Sequence, residues 1–196
     1  MSFEDIKTND PQEYSAEELQ FLDRIFQQFK VNKEGARNEL YKFIKPKKSS
    51  NLYAAGLYIL FPILAFILGN LLKDYSFYSF LIVVGVGWYI AGNTKDLFVK
   101  FHCIFAVLIY VLLQLIGIFL TLLGFAIGVS YSWLGAVLAI MIGAGLSVIL
   151  YFIVSIILAI NAFLGNKIRL PILTNFILDR IIEGNAKEED VKTKKE

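Results

Sequence analysis

The sequence predicts an all-α integral membrane protein. The expected plan is four transmembrane helices, cytosolic amphipathic helices at the N-terminus and an interfacial helix near the C-terminus. Three observations lead there. From Cys103 to Asn166 the chain holds no Asp, Glu, Lys, Arg or His. A water-facing surface of that length needs charge, and a lipid-facing one carries it only at high cost. Charged residues make up 18% of the chain, below the roughly 25% of soluble domains. The mean hydropathy is +0.60. The charges that exist gather at the two ends and in short loops between apolar runs.

The elements follow in order. Residues 1–13 are polar and mixed in charge, and they predict disorder. They show no basic segment followed by an apolar core, so no signal peptide is expected, and their acidity argues against a transit peptide. The first hydrophobic helix would act as its own signal. Ser15-Ala16-Glu17-Glu18 has the form of a capping box, with Ser15 at the N-cap and Glu18 three residues on. Leu19, Leu22, Ile25, Phe26 and Phe29 then recur at helical spacing. Ala36, Leu40, Phe43 and Ile44 predict a second amphipathic helix, ended by Pro46. The favoured reading is a hairpin that packs these two faces on each other. A partner-binding or membrane-surface pair is the alternative. Lys42, Lys45, Lys47 and Lys48 also stand where they meet anionic head groups.

Four apolar spans come next: about Leu52–Leu72, Phe77–Ala91, Cys103–Ile127 and Trp133–Leu164. The second is short for a bilayer. The last two exceed the ~20 residues that a crossing needs, which predicts tilt or a bend. Gly143-Ala144-Gly145 is the expected place for a bend. The domain plan is therefore 1–48 for the N-terminal helices, 49–166 for the transmembrane bundle and 167–196 for the interfacial helix and charged tail.

Lysine and arginine set the orientation. They are frequent before the first span, and the middle loop holds Lys95 and Lys100. The C-terminal segment holds Lys167, Arg169 and Arg180. Lys73 stands beside Asp74, and Gly128–Ser132 has no charge. The pattern alternates with each crossing, which places both termini and the middle loop in the cytoplasm, with a bacterial plasma membrane as the expected location.

Within lipid, apolar burial does not draw helices together; small residues do, by letting backbones approach. Gly135, Ala139, Gly143 and Ser147 form one row four apart in the fourth span. Gly117, Thr121, Gly124 and Gly128 form another in the third. These two rows are expected to meet in an antiparallel hairpin, with homodimerisation through one stripe as the alternative.

The candidate chemistry is sparse. The spans hold no ionisable group beyond their margins, which counts against a proton- or ion-coupled carrier. No phosphate loop, HExxH or GxSxG motif occurs, so no enzyme and no cofactor is expected. One cysteine and one histidine exclude an intramolecular disulfide and a Cys/His zinc site. His102, at the mouth of the third span, is expected to be an interfacial hydrogen-bonding group, and Cys103 to be buried. The net charge of +2 gives no reason to expect nucleic acid. The expected partners are the lipid bilayer and another membrane protein or a second copy of the chain.

Two segments carry a resemblance. One is Asp96-Leu97-Phe98-Val99-Lys100-Phe101-His102, followed by Ala106 and an aliphatic helix. The other is Ala159-Ile160-Asn161-Ala162-Phe163-Leu164-Gly165-Asn166-Lys167-Ile168-Arg169-Leu170-Pro171. A Phe-His pair opening one helix, and a later helix ending in Ala-x-x-Gly before Arg-x-Pro, resemble a family of small bacterial four-span membrane proteins of uncharacterised function. That family is in turn similar to the small channel-like component of the chloroplast inner-envelope protein translocon, the Tic family. The likeness covers roughly residues 50–178. It departs at Phe105, where the family often has Gln or Glu, and at Asn166, where it often has Lys. The resemblance implies a non-enzymatic assembly or translocon-like component, with a small passive channel or solute transporter as the alternative. It also implies that Phe101, His102, Gly165, Arg169 and Pro171 form an interface at one membrane face. Gly165 suits a helix C-cap and Pro171 the first turn of a new helix, and His102 is expected near the Gly165 turn. In that last helix Ile172, Leu173, Phe176 and Ile177 would make the apolar face, and Asn175, Asp179 and Glu183 the polar one.

Overall fold

A computed structural model describes residues 14–47, 49–72, 76–129 and 133–193. All of the regular structure there is helical: α1 (Ala16–Phe29), α2 (Lys33–Phe43), α3 (Ser50–Leu71), α4 (Ser76–Asn93), α5 (Leu97–Val129), α6 (Trp133–Phe163) and α7 (Pro171–Thr193). Lys48, Lys73, Asp74, Tyr75 and the turn at Ser130–Ser132 lie outside the described residues, as does the expected disorder of residues 1–13.

The N-terminal pair starts as its polar residues dictate. The Ser15 hydroxyl accepts the Glu18 amide at 3.2 Å, and the Glu18 carboxylate accepts the Ser15 amide at 2.7 Å. This satisfies two of the orphan donors at the helix start. Asn32 caps α2 by accepting the Gly35 amide at 2.9 Å. Leu22, Ile25 and Phe29 of α1 and Ala36 and Leu40 of α2 are buried, and the two helices pack together.

Three helices, α3, α5 and α6, are long and apolar enough to cross a membrane. At 1.5 Å per residue, the 22 residues of α3 span about 33 Å, close to the ~30 Å of hydrocarbon in a bilayer. Pro62 stands inside α3 without ending it. The 18 residues of α4 span only about 27 Å. The 33 residues of α5 reach about 50 Å.

The surplus length of α5 has a structural use. From Leu97 to Tyr110 nearly every side chain is buried, whereas Leu112, Leu115, Ile118, Phe119 and Leu122 are exposed. α3, α4 and α7 pack on α5, and Tyr58 of α3 and Phe80 and Gly87 of α4 meet its first half. The other half packs on α6 along one side and shows, on the other, an apolar surface that none of the described residues covers. In α6, which runs as one helix through Gly143 and Gly145, the exposed side chains from Trp133 to Phe163 are large and hydrophobic. Such a surface is stable against lipid and costly against water.

α5 and α6 pair more extensively than any other two helices. A methyl group built on Gly117 would stand 3.2 Å from the Ser147 hydroxyl. One on Gly143 would stand 3.4 Å from the Leu120 carbonyl oxygen, and one on Gly128 would fall 2.3 Å from the Ala136 Cα. Position rises along one helix as it falls along the other, so the pair is antiparallel. Gly124 and Gly135 are half-buried in these same helices, and the Ala139 side chain lies outside the described residues.

The C-terminal helix corrects one expectation. Its buried face is Thr174, Ile177, Leu178, Ile181 and Ile182, while Ile172 is 86% exposed. Asp179, expected on a free polar face, points to Arg37 of α2. The reason is that α7 packs against α1, α2 and α5, so the deeper stripe at 174, 177, 178, 181 and 182 is the one covered.

Candidate functional site

The residues that carry the resemblance gather at the capped end of the bundle, where α1, α2 and α7 meet the start of α5. Asp96 builds the entry to α5. Its Oδ1 accepts the amides of Phe98 at 2.8 Å and Val99 at 3.2 Å, the arrangement that a negative N-cap favours. Its Oδ2 accepts the Ser50 hydroxyl at the start of α3. The Ser50 oxygen in turn accepts the Lys47 amide at 3.0 Å, and the Leu97 amide donates to the Tyr14 hydroxyl at 2.9 Å. Burial pushes the Tyr14 phenol well above its ordinary value, outweighing the Leu97 amide, so it stays neutral beside Asp96. Asp96 and Ser50 are both buried, and each is satisfied by the other.

One turn further on, His102 is buried at 3% exposure. Its Nδ1 lies 2.9 Å from the Tyr58 hydroxyl. The Phe98 ring sits 4.5 Å away and the Phe101 ring 5.5 Å away, the latter edge-on. His102 is therefore an interior residue joining α5 to α3. Its Nε2, like the Thr174 hydroxyl of α7, has no hydrogen-bond partner among the described residues. Cys103 is buried, and its thiol donates to the Gly87 carbonyl at 3.2 Å.

The second motif ends α6 in a Schellman turn. Gly165 has φ of +76°. Its amide donates to the Ala162 carbonyl at 3.0 Å, and the Asn166 amide donates to Asn161 at 2.9 Å, which closes the last carbonyls of the helix. Asn51 of α3 adds a bond to the Phe163 carbonyl at 2.8 Å. The strap that follows grips Tyr41 of α2. The Lys167 ammonium donates to the carbonyls of Tyr41 and Ile44, the latter at 2.5 Å, and so caps the end of α2. It also stands 4.2 Å over the Tyr41 ring, and the Tyr41 hydroxyl donates back to the Lys167 carbonyl at 3.0 Å. Burial pushes the Lys167 ammonium down to about 8, with Lys45 adding repulsion. Arg169 stacks 5.5 Å over the same ring and donates to Asn38 at 2.9 Å. Pro171 opens α7.

The two motifs meet through an intermediary. The Tyr41 ring, held by Lys167 and Arg169, packs edge-on against Phe101 at 6.1 Å, and Phe101 packs on His102. A Cβ on Gly165 would stand 3.0 Å from Pro46. The Gly165 turn is thus seated on Pro46, and the His102 ring is engaged by Tyr58. Sequence reasoning missed Tyr41, Tyr58, Ser50 and Tyr14. Asp96 carries the ordinary signal of a helix start, an aspartate directly before an apolar run, but the expected span began only at Cys103. The tyrosines had no signal: nothing local marks that the Tyr58 hydroxyl meets His102 or that the Tyr14 hydroxyl meets the Leu97 amide. Among the described residues no group of three or more His, Cys, Asp or Glu is placed to hold a metal ion.

No family model matches the chain, and neither a curated protein nor a solved structure matches it.

Proposed function

We propose that the chain is a non-enzymatic, multi-pass membrane component that works by assembly, with a translocon-like role as the particular reading. In it α3, α4, α5 and α6 all cross a bacterial plasma membrane, with the capped end in the cytoplasm. The alternation of basic residues with each crossing supports this orientation. The short α4 fits as the second span if its flanking residues extend it to the head groups.

The observation that carries the reading is the locked cap. Lys167 ties the end of α2 to the strap after α6, the Tyr14 hydroxyl ties the segment before α1 to the start of α5, Asp96–Ser50 joins the starts of α5 and α3, and Arg37–Asp179 joins α2 to α7. Such a cap couples a surface that a partner can reach to the packing of the bundle. The pore reading is weaker. Close approach at Gly128 against Ala136 and at Gly143 against Leu120 closes the α5–α6 seam to a lumen.

Crosslinking in intact membranes followed by purification tests the proposal. A defined membrane-protein partner, or a discrete oligomer without conductance in liposomes, is the expected result. An oligomer that conducts ions or small solutes in liposomes with no partner would replace assembly by the channel.

A further inference from the structure

One cleft lies beside the packing just described. It has a volume of about 660 Å³ and opens where α1, the end of α2 and the start of α5 converge. Four cations line it, Arg24, Lys42, Lys45 and Lys47, against two carboxylates, Glu18 and Glu39. Glu18 is already engaged, accepting the Ser15 amide and standing 3.7 Å from Lys47. Arg24, Lys42 and Lys45 make no salt bridge among the described residues. Lys45 is close enough to Lys167 to repel it. Cations crowded in this way raise the energy of the empty site and lower that of a bound anion.

The other wall is apolar. Phe21 and Phe43 pack with their ring centres 5.1 Å apart, and Ile44 and Leu97 complete the lining. The cleft also stands at a fixed level. Lys47 and Leu97 belong to its lining, and from those two points the apolar runs of α3 and α5 begin. Leu52 and Tyr53, on the first turn of α3, are both exposed by more than 60%, as an interfacial belt requires.

We propose that this cleft binds the headgroup of an anionic phospholipid. Arg24, Lys42 and Lys45 take the phosphate, and the aromatic wall meets the glycerol and upper acyl chain. A free phosphate would use the cations and leave the apolar wall unused, and for that reason a lipid fits better. The inference rests on the membrane reading above.

The full chain, purified in neutral detergent, is titrated with phosphatidylglycerol, with phosphatidylcholine of the same acyl chains and with glycerol 3-phosphate. Thermal unfolding and native mass spectrometry provide the readouts. Each cation beside an anionic head group is worth about fivefold in affinity, so three give a preference for phosphatidylglycerol over phosphatidylcholine on the order of a hundredfold. The preference falls as salt is raised. The triple variant Arg24→Gln, Lys42→Gln, Lys45→Gln keeps the lipid-free unfolding midpoint, because all three side chains are exposed, and loses the preference. Lys45→Gln alone loses about fivefold, which serves if the triple variant fails to fold. Equal retention of the two lipids, or a preference that survives the substitutions, overturns the proposal. A full shift with glycerol 3-phosphate alone overturns the lipid and leaves a soluble phosphate site. Release of the chain from membranes by alkaline carbonate would instead overturn the membrane reading itself.

Discussion

Single residues decide how the capped end closes. Gly165 is the clearest. Its φ of +76° belongs to the left-handed region, and Pro46 already stands where a side chain would go. Gly165→Ala places a Cβ in that backbone conformation at a cost of about 1–2 kcal/mol, with the Pro46 contact added to it. The expected result is a lower unfolding midpoint in detergent, with helix content by circular dichroism unchanged. A midpoint equal to that of the wild type would show that α6 ends without the left-handed turn. His102 shows how a residue's role differs from its prospects in sequence. A lone histidine at the mouth of an apolar run was expected at the interface with a hydrogen bond. It has the hydrogen bond, to Tyr58, and is buried at 3% exposure. The partner is 44 positions away in the chain, and no local rule of spacing reaches that far.

At the scale of the element, the α5–α6 pair is governed by where a side chain would meet backbone. Gly128 faces the Ala136 Cα, and Gly143 the Leu120 carbonyl. A methyl group on Gly145, by contrast, meets nothing within 4 Å. Leucine at the three positions should therefore separate them. Gly128→Leu forces the two helices apart where neither backbone has room to move, at a cost of about 2–3 kcal/mol. Gly143→Leu costs less, and Gly145→Leu is close to neutral. Unfolding midpoints of the three variants give the ranking, and a neutral Gly128→Leu would contradict the close approach. Both glycine rows were legible in the sequence, because four-residue spacing of small residues is periodic and local. Which glycine of Gly143-Ala144-Gly145 meets the neighbour was not legible, since that depends on the rotation of α6 about its own axis. The same holds for α7. Ile177, Leu178, Ile181 and Ile182 make a stripe that the sequence displays. The expected face began a turn earlier, at Ile172, because the reading assumed a flat interface in place of three packed helices.

For the whole molecule, the question is how firmly the cap is joined to the bundle. Arg37 and Asp179 form a two-pronged pair, with Nε to Oδ1 at 2.6 Å and Nη2 to Oδ2 at 2.5 Å, between α2 and α7. Both side chains remain about a quarter exposed. Solvent screening therefore limits the coupling to about 1 kcal/mol, the upper end for such pairs. A double-mutant cycle with Arg37→Ala and Asp179→Ala should return a coupling of that size. Hydrogen exchange should rise in α7 before it rises in α5. If α7 and α5 exchange together in both single variants, the pair does not hold α7 in place on its own. The N-terminal hairpin was readable in advance, because its capping box and apolar spacing are local features. That α7 returns from the far end of the chain to close over it was not.

By itself the sequence determined the composition of each surface. An uncharged run from Cys103 to Asn166, apolar without the alternation of a barrel strand, fits helices against lipid or deep in protein, where every backbone amide bonds within its own segment. The same local physics determined where helices start and stop at Ser15, Gly165 and Pro171, whereas α5 starts at Leu97, six residues ahead of the expected span at Cys103. Tertiary structure decided the pairings: Tyr58 with His102, Ser50 with Asp96, Lys167 with the end of α2, and Arg37 with Asp179. Each depends on the rotation and depth of two helices far apart in the chain. Those are set by the summed packing of many side chains, and no single position in the sequence encodes them.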